Sequence, residues 1–169
     1  GDKVFDVIEN NPEKLANLPG FGKVRKERIV KAWDEQKKIR DIVVFLHSHG
    51  VGTARAVRIY KTYGEAAIEV VSENPYRLAK DIRGIGFISA DKIAQNLGIA
   101  HDSLIRARAG INHVLSEELS NGHCGIPKET LVQNAADTLS ISSNIIEEAL
   151  LKELEEQHGL FQYYLNALG

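Results

Sequence analysis

HGVGTARAVRI, residues 49–59, is the stretch on which the fold turns: Gly50 and Gly52 enclose the apolar Val51, and Ile59 follows nine positions after the first glycine. The same arrangement stands upstream in LPGFGKVRKERI (18–29), with Gly20, Phe21, Gly22 and Ile29, and downstream in RGIGFISADKI (83–93), with Gly84, Ile85, Gly86 and Ile93. Two glycines at this spacing, each time at the entry of a helical pattern with a fixed apolar position, describe one recurring hairpin between helices. Glycine tolerates the positive φ of so tight a turn, and its missing Cβ lets another backbone approach. The middle apolar residue is expected to plug the hairpin. Beyond the second glycine, the first amides of the new helix lack intrahelical acceptors and carry the positive end of the macrodipole. Such a terminus is a natural place for phosphate.

A wider repeat encloses the triplets. GDKVFDVIENNP, residues 1–12, returns as GEAAIEVVSENP, residues 64–75, so the fold is modular. Because the second copy follows a completed hairpin, the first copy predicts a further hairpin upstream of Gly1.

With 169 residues and 43% apolar content, the chain can bury one ordinary core or two small ones. The single cysteine, Cys124, excludes an intramolecular disulfide and a multi-cysteine zinc site, and points to a reducing compartment. No metal site is expected: His123 beside Cys124 makes only two ligands, and His47 with His49 reads as a solvated turn. No stretch has the length of a membrane span, and acids occupy the amino terminus where a signal peptide would be basic, so a cytoplasmic protein without membrane contact is expected. The net charge of −2 conceals a gradient. Residues 1–63 carry 13 basic and 8 acidic side chains, residues 64–98 carry 4 and 5, and residues 99–169 carry 4 and 10. A basic front suits a polyanion there, not along the whole chain.

Local signals predict helices over 3–9, around 13–17, over 23–36, 53–63 and 87–96, with Gly64 and Gly98 as stops. Ile39 to Ser48 has the composition of a strand, but its place before the second triplet predicts a buried helix. Three longer amphipathic helices follow near 104–120, 128–139 and 144–158, with Asn144 and Glu147 spaced as a capping box. Leu160 to Leu165 reads as a strand or docking tail. The fold class is therefore all-α, with tandem hairpins over 1–100 and a helical, winged-helix-like module over 101–169.

The first hairpin is the strongest binding candidate, since Lys23, Arg25, Lys26 and Arg28 follow Gly20, Phe21 and Gly22 closely enough for amides and cations to meet one phosphate. The second offers Gly50, Val51, Gly52, the Thr53 hydroxyl, Arg55 and Arg58. The third, Gly84, Ile85 and Gly86, is followed by Phe87 and Ile88 and reads as packing. No acid–base constellation is present and no catalytic residue is assigned. A Gly-x-x-x-x-Gly-Lys-Ser/Thr loop is missing, so no nucleotide cofactor is expected on these residues. The 144–158 helix, with Glu147, Glu148, Glu153, Glu155 and Glu156 against Lys152, would repel phosphate.

The triplets resemble the helix-hairpin-helix family, whose hairpins bind nucleic-acid backbones without reading sequence. LPGFG is close to that family's usual wording. Val24 stands where the family's glycosylases place a catalytic lysine, and Lys26 where alanine is usual. The longer run VVFLHSHGVGTARAVRIYKTYGEAAIEVVSENPYRLAKDIRGIGFISADKIAQNLGI, with RARAGINHVLSEELSNGH and IIEEALLKELEEQHGL, resembles the region before the motor of RecD-like, TraA-type DNA helicases, also called exodeoxyribonuclease V alpha chains. This resemblance implies a DNA-binding region of a 5′ to 3′ helicase of repair and recombination. Its partners would be single-stranded or forked DNA and its own motor domains, with ATP and magnesium belonging to the motor alone. The alternative is a scaffold that docks onto the motor or another protein.

Overall fold

The computed structural model describes residue 7 and residues 10–156, apart from 18 and 21. All regular structure among the described residues is helical. The helix expected over 3–9, residue 7 apart, the plug residue Phe21 and the segment 160–165 lie outside them. The chain divides into two units, residues 1–68 and 69–169, so the boundary expected at residue 100 falls inside the second, and the third triplet belongs with the long helices.

In the first unit a 3-10 helix, Pro12–Asn17, leads through the first triplet into α1, Lys23–Ser48. Here the structure corrects the sequence reading: the helices expected over 23–36 and from Ile39 to Ser48 are one unbroken helix of 26 residues. The β-branched and aromatic residues of its second half lower helix propensity by only tenths of a kcal/mol each, whereas a break calls for Gly or Pro, and residues 23–48 contain neither. Opposite charges four apart, Glu27 with Lys31 and Asp34 with Lys38, reinforce the exposed half. At 1.5 Å per residue, α1 is about 39 Å long. Helix α2, Thr53–Tyr63, packs against α1. Ile42 and Leu46 of α1, Ala56 and Ile59 of α2, and Val51 between them are all buried. Gly64, at φ +62°, ends α2 as expected, and Glu65 in the following 3-10 turn pairs with Lys38 at 3.0 Å.

The chain continues through α3, Ala67–Glu73, and α4, Arg77–Asp81, to the third triplet and α5, Phe87–Asn96. Helices α6, Leu104–Ser120, α7, Lys128–Leu139, and α8, Ser143–Glu155, then pack together around Ile111, Val114, Leu131, Leu139, Ile146 and Leu150. Gly110 of α6 makes this possible, since a Cβ there would lie 2.9 Å from Leu139 Cγ. Ser142, not Asn144, caps α8 by accepting from the Asn144 N–H.

One polar cluster joins these helices. The Arg106 guanidinium, 5% exposed, donates to both carboxylate oxygens of Asp91, at 2.9 and 3.1 Å, and to the carbonyls of His101 and Leu139, both at 2.9 Å. Tyr76 donates its hydroxyl to Asp91 Oδ1 at 2.6 Å. Burial pushes the Asp91 carboxyl upward, but the hydrogen bonds from Arg106 and Tyr76 outweigh it and hold the group below its usual value. Burial, then the bond to Asp91, raises the Tyr76 phenol. Two residues further along α6, Arg108 pairs with Glu153 and Glu156 at the end of α8.

Candidate nucleic-acid interface

The three elbows share one backbone geometry. The first glycine of each lies in the left-handed region, with φ of +88° at Gly20, +82° at Gly50 and +91° at Gly84. The second is an extended N-cap, with φ, ψ of −75°, 164° at Gly22, −69°, 158° at Gly52 and −88°, 176° at Gly86. Val51 and Ile85 are buried plugs, 1% and 2% exposed, and Ile59 and Ile93 are buried as the nine-residue offset requires. Ile29 is half-buried.

At the second elbow the Gly50 N–H bonds to the His47 carbonyl at 3.1 Å, and the Val51 N–H to the Leu46 carbonyl at 2.9 Å. Those amides close α1, so the donors left for a ligand begin at Gly52. No side chain caps α2, and Gly52, Thr53, Ala54 and Arg55 are exposed. Thr53 Oγ1 is already in contact with His47 Nε2 at 2.9 Å, a pairing that no periodicity in the sequence announces. His49 is likewise engaged, its Nδ1 lying 2.8 Å from the Phe45 carbonyl. Arg55 and Arg58 extend from the exposed side of α2.

The first elbow repeats this plan at the start of α1. Gly20, Gly22, Lys23, Arg25 and Arg28 are exposed, Lys26 is half-buried, and no side chain caps the helix. Arg25 folds back so that Nη1 donates to the Gly20 carbonyl at 3.2 Å, which holds a guanidinium beside the turn.

At the third elbow the side chains differ. Phe87, the first residue of α5, turns inward and stacks on Tyr76 at 5.8 Å and His113 at 4.7 Å between ring centres, while Ile88 is 78% exposed. The Asp91–Arg106 pair then ties α5 to α6.

Two features have no internal explanation in the fold. A Cβ on Gly22, Gly52 or Gly86 would meet nothing within 4 Å, and their φ, ψ values suit any residue, so the protein's own packing does not require glycine there. Serine or aspartate would cap these helices better. Moreover, α1 and α2 carry no acid in their first turns and place cations there, against the preference set by the macrodipole. An open amide cluster beside cations is a receptor for an anion supplied from outside.

Elsewhere the surface offers less. A shallow groove of about 430 Å³ along α1 is lined by both signs of charge, including Lys26, Lys31, Asp34, Glu35 and Glu65. Among the described residues, no three His, Cys, Asp or Glu side chains gather to hold a metal ion, and no helix is long and apolar enough to cross a membrane.

Residues 35–125 match the family model described as the HHH domain of the ATP-dependent RecD2 DNA helicase. The chain is also 29% identical, over 129 residues, to the ATP-dependent RecD2 DNA helicase of Deinococcus radiodurans. That alignment takes in 76% of this chain and 18% of the relative, so the chain spans about a fifth of the length of the protein it matches.

Proposed function

The chain belongs to the HHH-domain family of ATP-dependent RecD2 DNA helicases, and from that premise we propose that it is a non-catalytic DNA-binding region that grips phosphate backbone through its first two elbows. The observation that carries this reading is the pairing of uncapped, exposed helix amides with first-turn cations at Gly22 and Gly52. At the first elbow the amides following Gly22 receive a phosphate oxygen, with Lys23, Arg25, Lys26 and Arg28 supplying charge around it. At the second, Gly52 and the amides after it do the same, helped by the Thr53 hydroxyl, Arg55 and Arg58. Gly20, Gly50 and the Val51 plug shape the turns, and Phe21 takes the corresponding plug position in sequence. The third elbow, without a cation in its first turn and with Phe87 drawn inward, serves packing.

Backbone contacts carry no base information, so binding is sequence-blind and takes single-stranded or forked DNA. With two or three phosphates engaged, Kd is about 10⁻⁴ to 10⁻⁶ M, and the log–log salt slope is near −2. ATP, magnesium and strand separation fall to motor sequences, which also supply the protein partner. The exposed acidic face of α8, with Glu147, Glu148 and Glu155, is left to protein contact.

Anisotropy titration of labelled single-stranded and forked DNA at two salt concentrations tests the reading. Charge reversal at Lys23, Arg25, Arg28, Arg55 and Arg58 should remove measurable binding. Unchanged affinity in that variant would transfer the domain to the scaffold reading.

A further inference from the structure

The first two elbows sit at opposite ends of one rigid helix. Gly22 is the N-cap of α1, and Gly50 with Gly52 follow directly on its last residue, Ser48. Twenty-six residues at 1.5 Å each set the two amide clusters about 39 Å apart. Both belong to the first unit, and helix α1 between them contains no glycine or proline. The separation is therefore a fixed property of the fold, not a flexible reach.

A span of that size excludes neighbouring phosphates as shared targets. Along one strand of a duplex phosphates recur every 3.4 Å of axis, so about 39 Å corresponds to about 12 base pairs. The same strand presents the same face again after one helical turn, 34–36 Å. A duplex is itself stiff, with a persistence length of about 150 base pairs, so it meets two fixed points without first being ordered. A flexible single strand must give up conformational freedom to bridge them.

We propose that α1 is a two-point ruler, whose end elbows together engage one duplex segment of at least about 12 base pairs, roughly one helical turn apart. This rests on the reading of the elbows as phosphate sites, and assigns them the duplex arm of a forked substrate. A shorter duplex occupies one elbow at a time. A longer one occupies both, and the second contact is then intramolecular.

The test is a length series of blunt duplexes from about 6 to about 20 base pairs, titrated by anisotropy at two salt concentrations. Affinity should step up by tenfold or more near about 12 base pairs, and the salt slope should change from about −1 to about −2. Charge reversal at one elbow, Lys23→Glu with Arg25→Glu and Arg28→Glu, or Arg55→Glu with Arg58→Glu, should remove the step. Binding to the longest duplexes should fall by a larger factor than binding to the shortest, since the other elbow still holds a short duplex.

Insertion of seven helix-forming residues between Gln36 and Lys37, in the exposed stretch of α1, changes the helix phase by only about 20°. It lengthens the rod by about 10 Å, to a span of about 15 base pairs that no longer matches one helical turn, and should remove the step at about 12 base pairs. Circular dichroism confirms the added helix. A step that stays in place in the lengthened protein, a smooth length dependence in the parent, or the same step on single strands would overturn the ruler while leaving the phosphate elbows intact. Loss of all effect from charge reversal at both elbows would overturn the elbow reading itself, and the ruler with it.

Discussion

Replacement of Gly52 by serine should move stability and DNA affinity in opposite directions. Gly52 has φ −69° and ψ 158°, which serine adopts freely, and a Cβ there meets nothing within 4 Å. The new hydroxyl can accept from the Ala54 or Arg55 N–H, as a serine N-cap does, and gains a few tenths of a kcal/mol over glycine. For a chain of this size the melting temperature should rise by about 1 °C. The same hydroxyl occupies the space a phosphate oxygen needs and takes one of its donors. A hydrogen bond to a charged group contributes about 1.5–3 kcal/mol, so affinity should fall roughly tenfold to a hundredfold. Thermal unfolding and anisotropy titration of one preparation read both effects. Gly86→Ser, at the elbow assigned to packing, is the internal control and should leave affinity within about twofold. Gly52→Ser protein that binds DNA as tightly as the parent would refute the claim that this glycine is kept for an external anion.

The remaining expectations concern the fold. Gly50→Ala forces a side chain into φ +82° and should destabilise by about 1–2 kcal/mol in urea titration, losing binding through the turn itself. Asp91→Asn strips the buried Arg106 of its counter-charge and should cost about 3–5 kcal/mol by the same assay. Because the folded Asp91 carboxyl is held below its ordinary 3.8, its contribution is complete above that pH and is lost as the pH falls further; urea midpoints of the parent should therefore drop between neutral pH and about pH 3, and Asp91→Asn should flatten that part of the fall. Gly110→Ala gains up to about 1 kcal/mol in helix propensity but crowds the buried Leu139, and calorimetry should find it net destabilising by about 1–2 kcal/mol.

The elbows were legible in the sequence because their requirements are local. A left-handed first glycine, an apolar plug and an isoleucine at a fixed offset leave a pattern that reads the same three times. The continuity of α1 was not, because residues 39–48 score as strand in isolation, and only the lack of a breaker between Gln36 and Ile39 argues otherwise. The Asp91–Arg106 pair was invisible for a different reason. The partners are 15 positions apart on separate helices, and nothing marks either as buried until α5 and α6 are packed. At the candidate site, composition located the cations. It could not foresee that the Gly50 and Val51 amides are consumed in closing α1, or that His47 reaches Thr53.

The reach of the Arg106 side chain has a consequence for how the second unit breathes. One guanidinium touches α5 through Asp91, the loop before α6 through the His101 carbonyl, and the end of α7 through Leu139. None of these segments can open alone without stranding a buried cation. Amide hydrogen exchange should accordingly show α5 and the adjoining ends of α6 and α7 releasing their protons in one concerted event, so that the third elbow shares the lifetime of the helices behind it.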